Sequence, residues 1–126
     1  MKINAVAVAS SDIKRTIEFY SLLGFEFADI KDTDQHIEPA AVDNSARLMI
    51  DSKELLEEIT GEDPLPGNHS SFAIQYDSPG EIDEVCKHIR EAGFEVVKEP
   101  WDAFWGQRYA VVQDPDGYKI DLYAYL

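Results

Sequence analysis

The tripeptide Gly-Phe-Glu occurs at residues 24–26 and again at 93–95, and each copy closes a stretch with helical spacing of apolar residues. In DIKRTIEFYSLLGFEF the stripe is Ile13, Ile17, Tyr20 and Leu23, with Ser11 or Asp12 available as the cap. In EIDEVCKHIREAGFEV it is Ile82, Val85 and Ile89, ending at Gly93. Two helices with the same exit, 69 residues apart, imply two copies of one module. A strand pattern precedes each helix, at 3–9 and 71–76. Three more follow each: 25–30, 36–42 and 46–51 in the first copy, 94–99, 108–113 and 118–125 in the second. The expected fold is therefore α+β, with two βαβββ modules whose curved mixed sheets surround a cup. Module one covers residues 1–60 and ends in a short helix at 53–58; a Pro/Gly linker spans 61–68; module two covers 69–126, all within a single domain 1–126.

Charge narrows the partners. Lys and Arg number 11 against 25 Asp and Glu, a formal net charge of -14, which repels phosphate backbones and anionic lipid surfaces. Nucleic acid and membrane are thus excluded as expected partners, and no apolar run approaches the ~18 residues a bilayer requires. The acidity reads either as a solubility device or as an attraction for a cationic ligand. Cys86 is the only cysteine, so no internal disulfide forms, and the N-terminal stretch MKINAVAVASSDIK lacks the pattern of a secretory signal. The expected location is the cytoplasm. Cys86 lies on a helix without a His or Asp partner and reads as a structural thiol.

The C-terminal stretch WGQRYAVVQDPDGYKIDLYAYL holds two alternating runs joined by a DPDG turn, in which Pro115 presets φ and Gly117 permits positive φ. Together with the paired βαβββ order and the first helix, this stretch resembles the vicinal oxygen chelate superfamily, which includes glyoxalase I, extradiol dioxygenases and bleomycin resistance proteins. The resemblance covers essentially the whole chain. It implies a divalent ion held in the cup by one residue from each of four strands. At those positions this chain carries Ala5, Met49 (or Asp51 after a slip of two), Ser71 and Asp121. One of the four is a ligand type, and a divalent ion needs several deprotonated ligands acting together. The resemblance then implies no cofactor. A makeshift set of Asp51, His69 and Asp121 would be the alternative, holding Ni, Zn, Fe or Mn, since His69 shares the strand face of Ser71. His36, within a strand, and His88, on a helix, read as surface residues.

Ala5, Ala7 and Ala9, with Ser71, Ala73 and Gln75, either leave room in the cup or let strands approach closely. The loop WDAFWG brings Trp101, Phe104 and Trp105 within five residues, suited to stacking on planar or cationic groups or to plugging a sheet edge. In bleomycin resistance proteins, which similarly lack the metal ligands, the matching Trp-Gly begins the strand lining the drug groove; by resemblance Trp105 is the stacking residue here, with Met49 and Tyr123 also among the ligand-binding positions. Arg108 either forms a structural salt bridge or enters the cup to pair with Asp121 or a ligand carboxylate, and Lys119 shares the strand face of Asp121. Two function classes follow. The leading one is a metal-free homodimer that sequesters a small planar or cationic molecule such as a bleomycin-type antibiotic. The other is a metal-dependent enzyme, a glyoxalase-type lyase or a ring-cleaving dioxygenase.

Overall fold

The computed structural model describes residues 1–126, which form two compact units, Met1–Leu65 and Pro66–Leu126. The first unit runs β1 (Ala5–Ser10), α1 (Ile13–Leu22), β2 (His36–Ile37), β3 (Arg47–Ser52) and α2 (Lys53–Thr60). The second runs β4 (Ser70–Gln75), α3 (Pro79–Glu91), β5 (Glu95–Ala103), β6 (Gln107–Gln113) and β7 (Lys119–Tyr125). The sheets are mixed, with strand orders β1-β3-β2 and β4-β7-β6-β5; β1 and β3 are parallel, as are β4 and β7, and the other pairs are antiparallel. No helix is long and apolar enough to cross a membrane.

The repeated tripeptide has one structural meaning in both units. Gly24 N–H donates to Ser21 O and Phe25 N–H to Tyr20 O; Gly93 N–H donates to Arg90 O and Phe94 N–H to Ile89 O. This is the Schellman closure, and it needs the positive φ that Gly24 (+112°) and Gly93 (+84°) adopt. Helix starts are equally local. The Asp12 carboxylate accepts from Arg15 N at 3.2 Å, and the Glu81 carboxylate accepts from the Ser78 N–H at 2.8 Å just before Pro79 opens α3.

α1 and α3 each bury a stripe of residues, whereas α2 buries none. In α1 Tyr20 and Leu23 of the expected stripe are buried, Ile13 and Ile17 are half-buried, and Thr16 and Phe19 join the buried side. Thr16 is tolerated there because its hydroxyl hydrogen-bonds Ser10 at 2.6 Å inside the core of Val8, Leu48 and Ile50. In α3 Ile82, Cys86 and Ile89 are buried in the core that also holds Ala110, Val112, Ile120, Leu122 and Ala124, while Val85 stays half-buried. Cys86 is fully buried, and burial pushes its thiol up to about 11, which disfavours the thiolate.

The units differ where strands were expected to match. The strand expected at 25–30 does not form, and that expected at 36–42 shrinks to the two residues of β2. Pro39 has no N–H for a ladder, and Asp34 folds the preceding segment into a turn by accepting from Lys31 N at 2.9 Å. A single backbone bond joins the two segments, from Ala40 N–H to Glu26 O at 2.8 Å. In the second unit β5 runs on to Ala103, with register shifts between Val96 and Lys98 and between Lys98 and Trp101. Trp101 is therefore a strand residue, not part of a loop. Because Ile120 is fully buried on β7, Ile120→Ala should lower stability by about 2–5 kcal/mol in urea unfolding, whereas Ile3→Ala at an exposed position should change it by less than about 0.5 kcal/mol.

Candidate functional site

Alternation along β6 and β7 puts Ala110, Val112, Ile120, Leu122 and Ala124 on the buried face and leaves Tyr109, Val111, Asp121 and Tyr123 half-buried on the other. On that open face the register aligns Trp101, Tyr109, Tyr123 and Gln75 in one row across all four strands. The next row holds Lys98, Val111, Asp121 and Ala73. The rings of the first row touch in sequence. Trp101 meets Tyr109 edge-on at 5.5 Å, and Tyr109 stacks on Tyr123 at 6.0 Å with planes 15° apart. Trp105, in the turn between β5 and β6, packs edge-on to Trp101 at 6.0 Å and to Tyr109 at 5.5 Å, while its indole N–H donates to Gln107 Oε1 at 2.8 Å. The Lys98 ammonium lies 4.9 Å from the Trp101 ring centre.

Asp121 is the charged centre of the face. The Tyr109 hydroxyl donates to Oδ2 at 2.5 Å, and the Ser70 hydroxyl donates to Oδ1. Both donors are neutral, and no ion pair of the chain includes Asp121. The carboxylate is thus oriented by hydrogen bonds from neutral groups and has no cationic partner. Burial, reinforced by the bond to Asp121, pushes the Tyr109 phenol up to about 12, so it remains a donor across the physiological range.

The other expected site residues are distributed unevenly. Trp105, Trp101, Phe104 and Tyr123 share one aromatic cluster, with Phe104 almost fully exposed and edge-on to Trp105 at 5.0 Å. Arg108 points to the helix side: it pairs with Asp83 of α3 at 2.7 Å and Asp102 of β5 at 3.0 Å, so its partner is not Asp121. The reason is parity, since Arg108 lies opposite Ala124 on the buried face. Ser71 falls in a register shift between Ser70 and Phe72, and that shift turns the Ser70 hydroxyl, not that of Ser71, onto Asp121. Lys119 reaches the Asn68 carbonyl at 3.5 Å. Met49 is half-buried opposite Ala7 on the first sheet. Sequence reasoning missed Tyr109 and Ser70. Counting outward from the DPDG turn would have placed Tyr109 opposite Tyr123; no local signal marks the shift at Ser70.

The donors required for a divalent ion do not fit. The four implied positions supply two apolar side chains, a hydroxyl and a single carboxylate, too few anionic donors for a divalent ion. The alternative set fares no better: Asp51 is engaged by His36 Nδ1 at 2.5 Å, and His69 Nδ1 donates to the Ser70 carbonyl at 2.9 Å. No three His, Cys, Asp or Glu side chains stand together as a set that could hold a metal. After dialysis against Zn or Ni and then buffer, element analysis should find far less than stoichiometric metal; near-stoichiometric metal released by Asp121→Ala would contradict this geometry.

Comparison with known proteins agrees with the fold. A crystal structure of a glyoxalase/bleomycin resistance protein/dioxygenase from Nocardioides superposes with a TM-score of 0.72 at 23% identity, covering 100% of this chain and 84% of that one. A glyoxalase-related enzyme from Fulvimarina pelagi gives 0.82 at 17% identity, covering 98% and 88%. A lactoylglutathione lyase from Agrobacterium tumefaciens gives 0.69 at 16% identity, covering 98% and 92%. No curated protein sequence matches the chain. The family model for the Glyoxalase/Bleomycin resistance protein/Dioxygenase superfamily matches residues 2–122, and with a match over nearly its whole length the chain belongs to that superfamily.

Proposed function

We propose that the open face of the second unit binds a small planar cation and holds it without transforming it. The observation that carries this reading is Asp121: a half-buried carboxylate, fixed by two neutral hydroxyls, lacking a cationic partner and lying one row from the stacked Tyr109 and Tyr123. A fixed anion beside aromatic faces attracts a delocalised cation through both its charge and its rings. The chain's net charge of -14 adds a long-range attraction for such a ligand. The half-exposed Trp105 offers a further ring at the edge of the face. A bleomycin-type antibiotic has the required chemistry, and the working form in this reading is a cytoplasmic homodimer.

Metal-free bleomycin is the probe for the test. Wild-type tryptophan emission should be quenched on titration, and the fractional quench should fall sharply in Trp105→Phe. Asp121→Asn should weaken binding by about tenfold, and the difference from wild type should shrink as salt is raised. Unchanged wild-type emission well above micromolar ligand, or equal affinity of Asp121→Asn, would overturn the reading.

A further inference from the structure

The imidazole of His36 lies between two carboxylates in the first unit. Nδ1 is 2.5 Å from Asp51 Oδ1, and Nε2 is 2.9 Å from Glu38 Oε2. An ionised carboxylate only accepts hydrogen bonds, so both ring nitrogens must carry protons. Neutral imidazole has a single N–H, and its other nitrogen would present a lone pair to a carboxylate oxygen. With both acids ionised, the bridge fits the imidazolium form, which has an N–H for each.

The bridge is attached to a weak element. β2 is two residues long, pairs with β3 only through His36 opposite Asp51 and Ile37 opposite Ile50, and forms the sheet edge. Ser52 N–H donates to Gln35 O at 2.8 Å beside it. Glu38 is also held by Arg47 Nη1, at 2.7 and 2.8 Å, and Arg47 Nε and Nη2 donate to Asn4 Oδ1 at 3.1 and 2.9 Å. One ring thus joins β2 to β3 and, through Glu38 and Arg47, to the residues that lead into β1.

We propose that His36 is a proton-operated clasp for the β2 edge: as imidazolium it bridges Asp51 and Glu38 and keeps the edge on β3, and as neutral imidazole it releases one carboxylate and lets the edge open locally. Glu38 is the partner released. It retains Arg47, whereas Asp51 is buried, and an unpaired buried carboxylate would cost more. The charged groups on the ring are Asp51 from β3 and Glu38 beyond β2; Arg47 acts through Glu38. β1 contributes only Ala5, Ala7 and Ala9 to this face, and at the start of α2 Lys53 is paired with Asp63 at 3.0 Å, with Glu54 following it.

The hydrogen bond to Asp51, then that to Glu38, raises the His36 pKa above its ordinary value, and His36 in turn lowers that of Glu38. Because the folded-state value is raised, the clasp contributes fully below the unfolded value of about 6.5 and is lost as pH rises through the higher folded value. The clasp lies within the first unit and does not depend on what the second unit binds.

Imidazole nitrogen NMR and amide exchange test it on the full chain. His36 should show two protonated nitrogens at low pH and titrate above about 6.5. Over the same range the Ser52 amide, corrected for intrinsic base catalysis, should exchange about tenfold faster, while the Tyr76 amide, bonded to Tyr123 O in the second unit, should not. His36→Gln should flatten the Ser52 response, and Glu38→Gln, which leaves the ring in place, should lower the His36 midpoint. A midpoint at or below the ordinary value, a Ser52 amide indifferent to pH, or a response that persists in His36→Gln would each overturn the clasp.

Discussion

The pairing of β6 with β7 sets both the core and the open face of the second unit. Its register is established at the turn. Asp114 is buried, its Oδ1 accepts from Asp116 N and Tyr118 N at 2.9 Å each, and its own N–H donates to Tyr118 O at 2.8 Å. Gly117 completes the turn with φ of +97°. A side chain added there would also meet Pro66 at 3.1 Å. From this anchor Val111 falls opposite Asp121 and Tyr109 opposite Tyr123. A slip of one residue would expose Ile120, Leu122 and Ala124 and drive Asp121 into the core, so the hydrophobic pattern and the turn enforce the same alignment.

Charge is handled in two ways. Arg108, on the helix side, lies between Asp83 and Asp102, and those pairs are exposed enough that their value is mainly orientation. Asp121, on the open face, has hydroxyl partners only. Neutral donors reduce the cost of partial burial without cancelling the charge, which leaves the carboxylate able to meet a cation. A divalent metal centre would instead need several deprotonated ligands converging on one ion.

The two units show how one plan diverges. Both close their helices with the same Gly-Phe-Glu hydrogen bonds, yet one sheet has four long strands and the other ends in a two-residue edge. Pro39 and the Asp34 turn remove backbone donors from the ladder, and side chains take over the attachment: His36, Glu38 and Arg47 do across that edge what a longer strand would have done with its backbone.

Interactions that span three to five residues were legible in the amino-acid order. The helix cap at Asp12, the glycine exits and the DPDG turn all follow from local backbone chemistry, and the twofold plan from the repeat of those signals. Tertiary structure decided which groups meet across strands. The shift at Ser70, the helix-side direction of Arg108, the ring of Tyr109 against Asp121 and the bridging of two acids by His36 depend on register and on competition for distant partners. A strand pattern assigns a residue to a face, but only the neighbouring strand, placed by the packing of the whole sheet, determines what that residue touches.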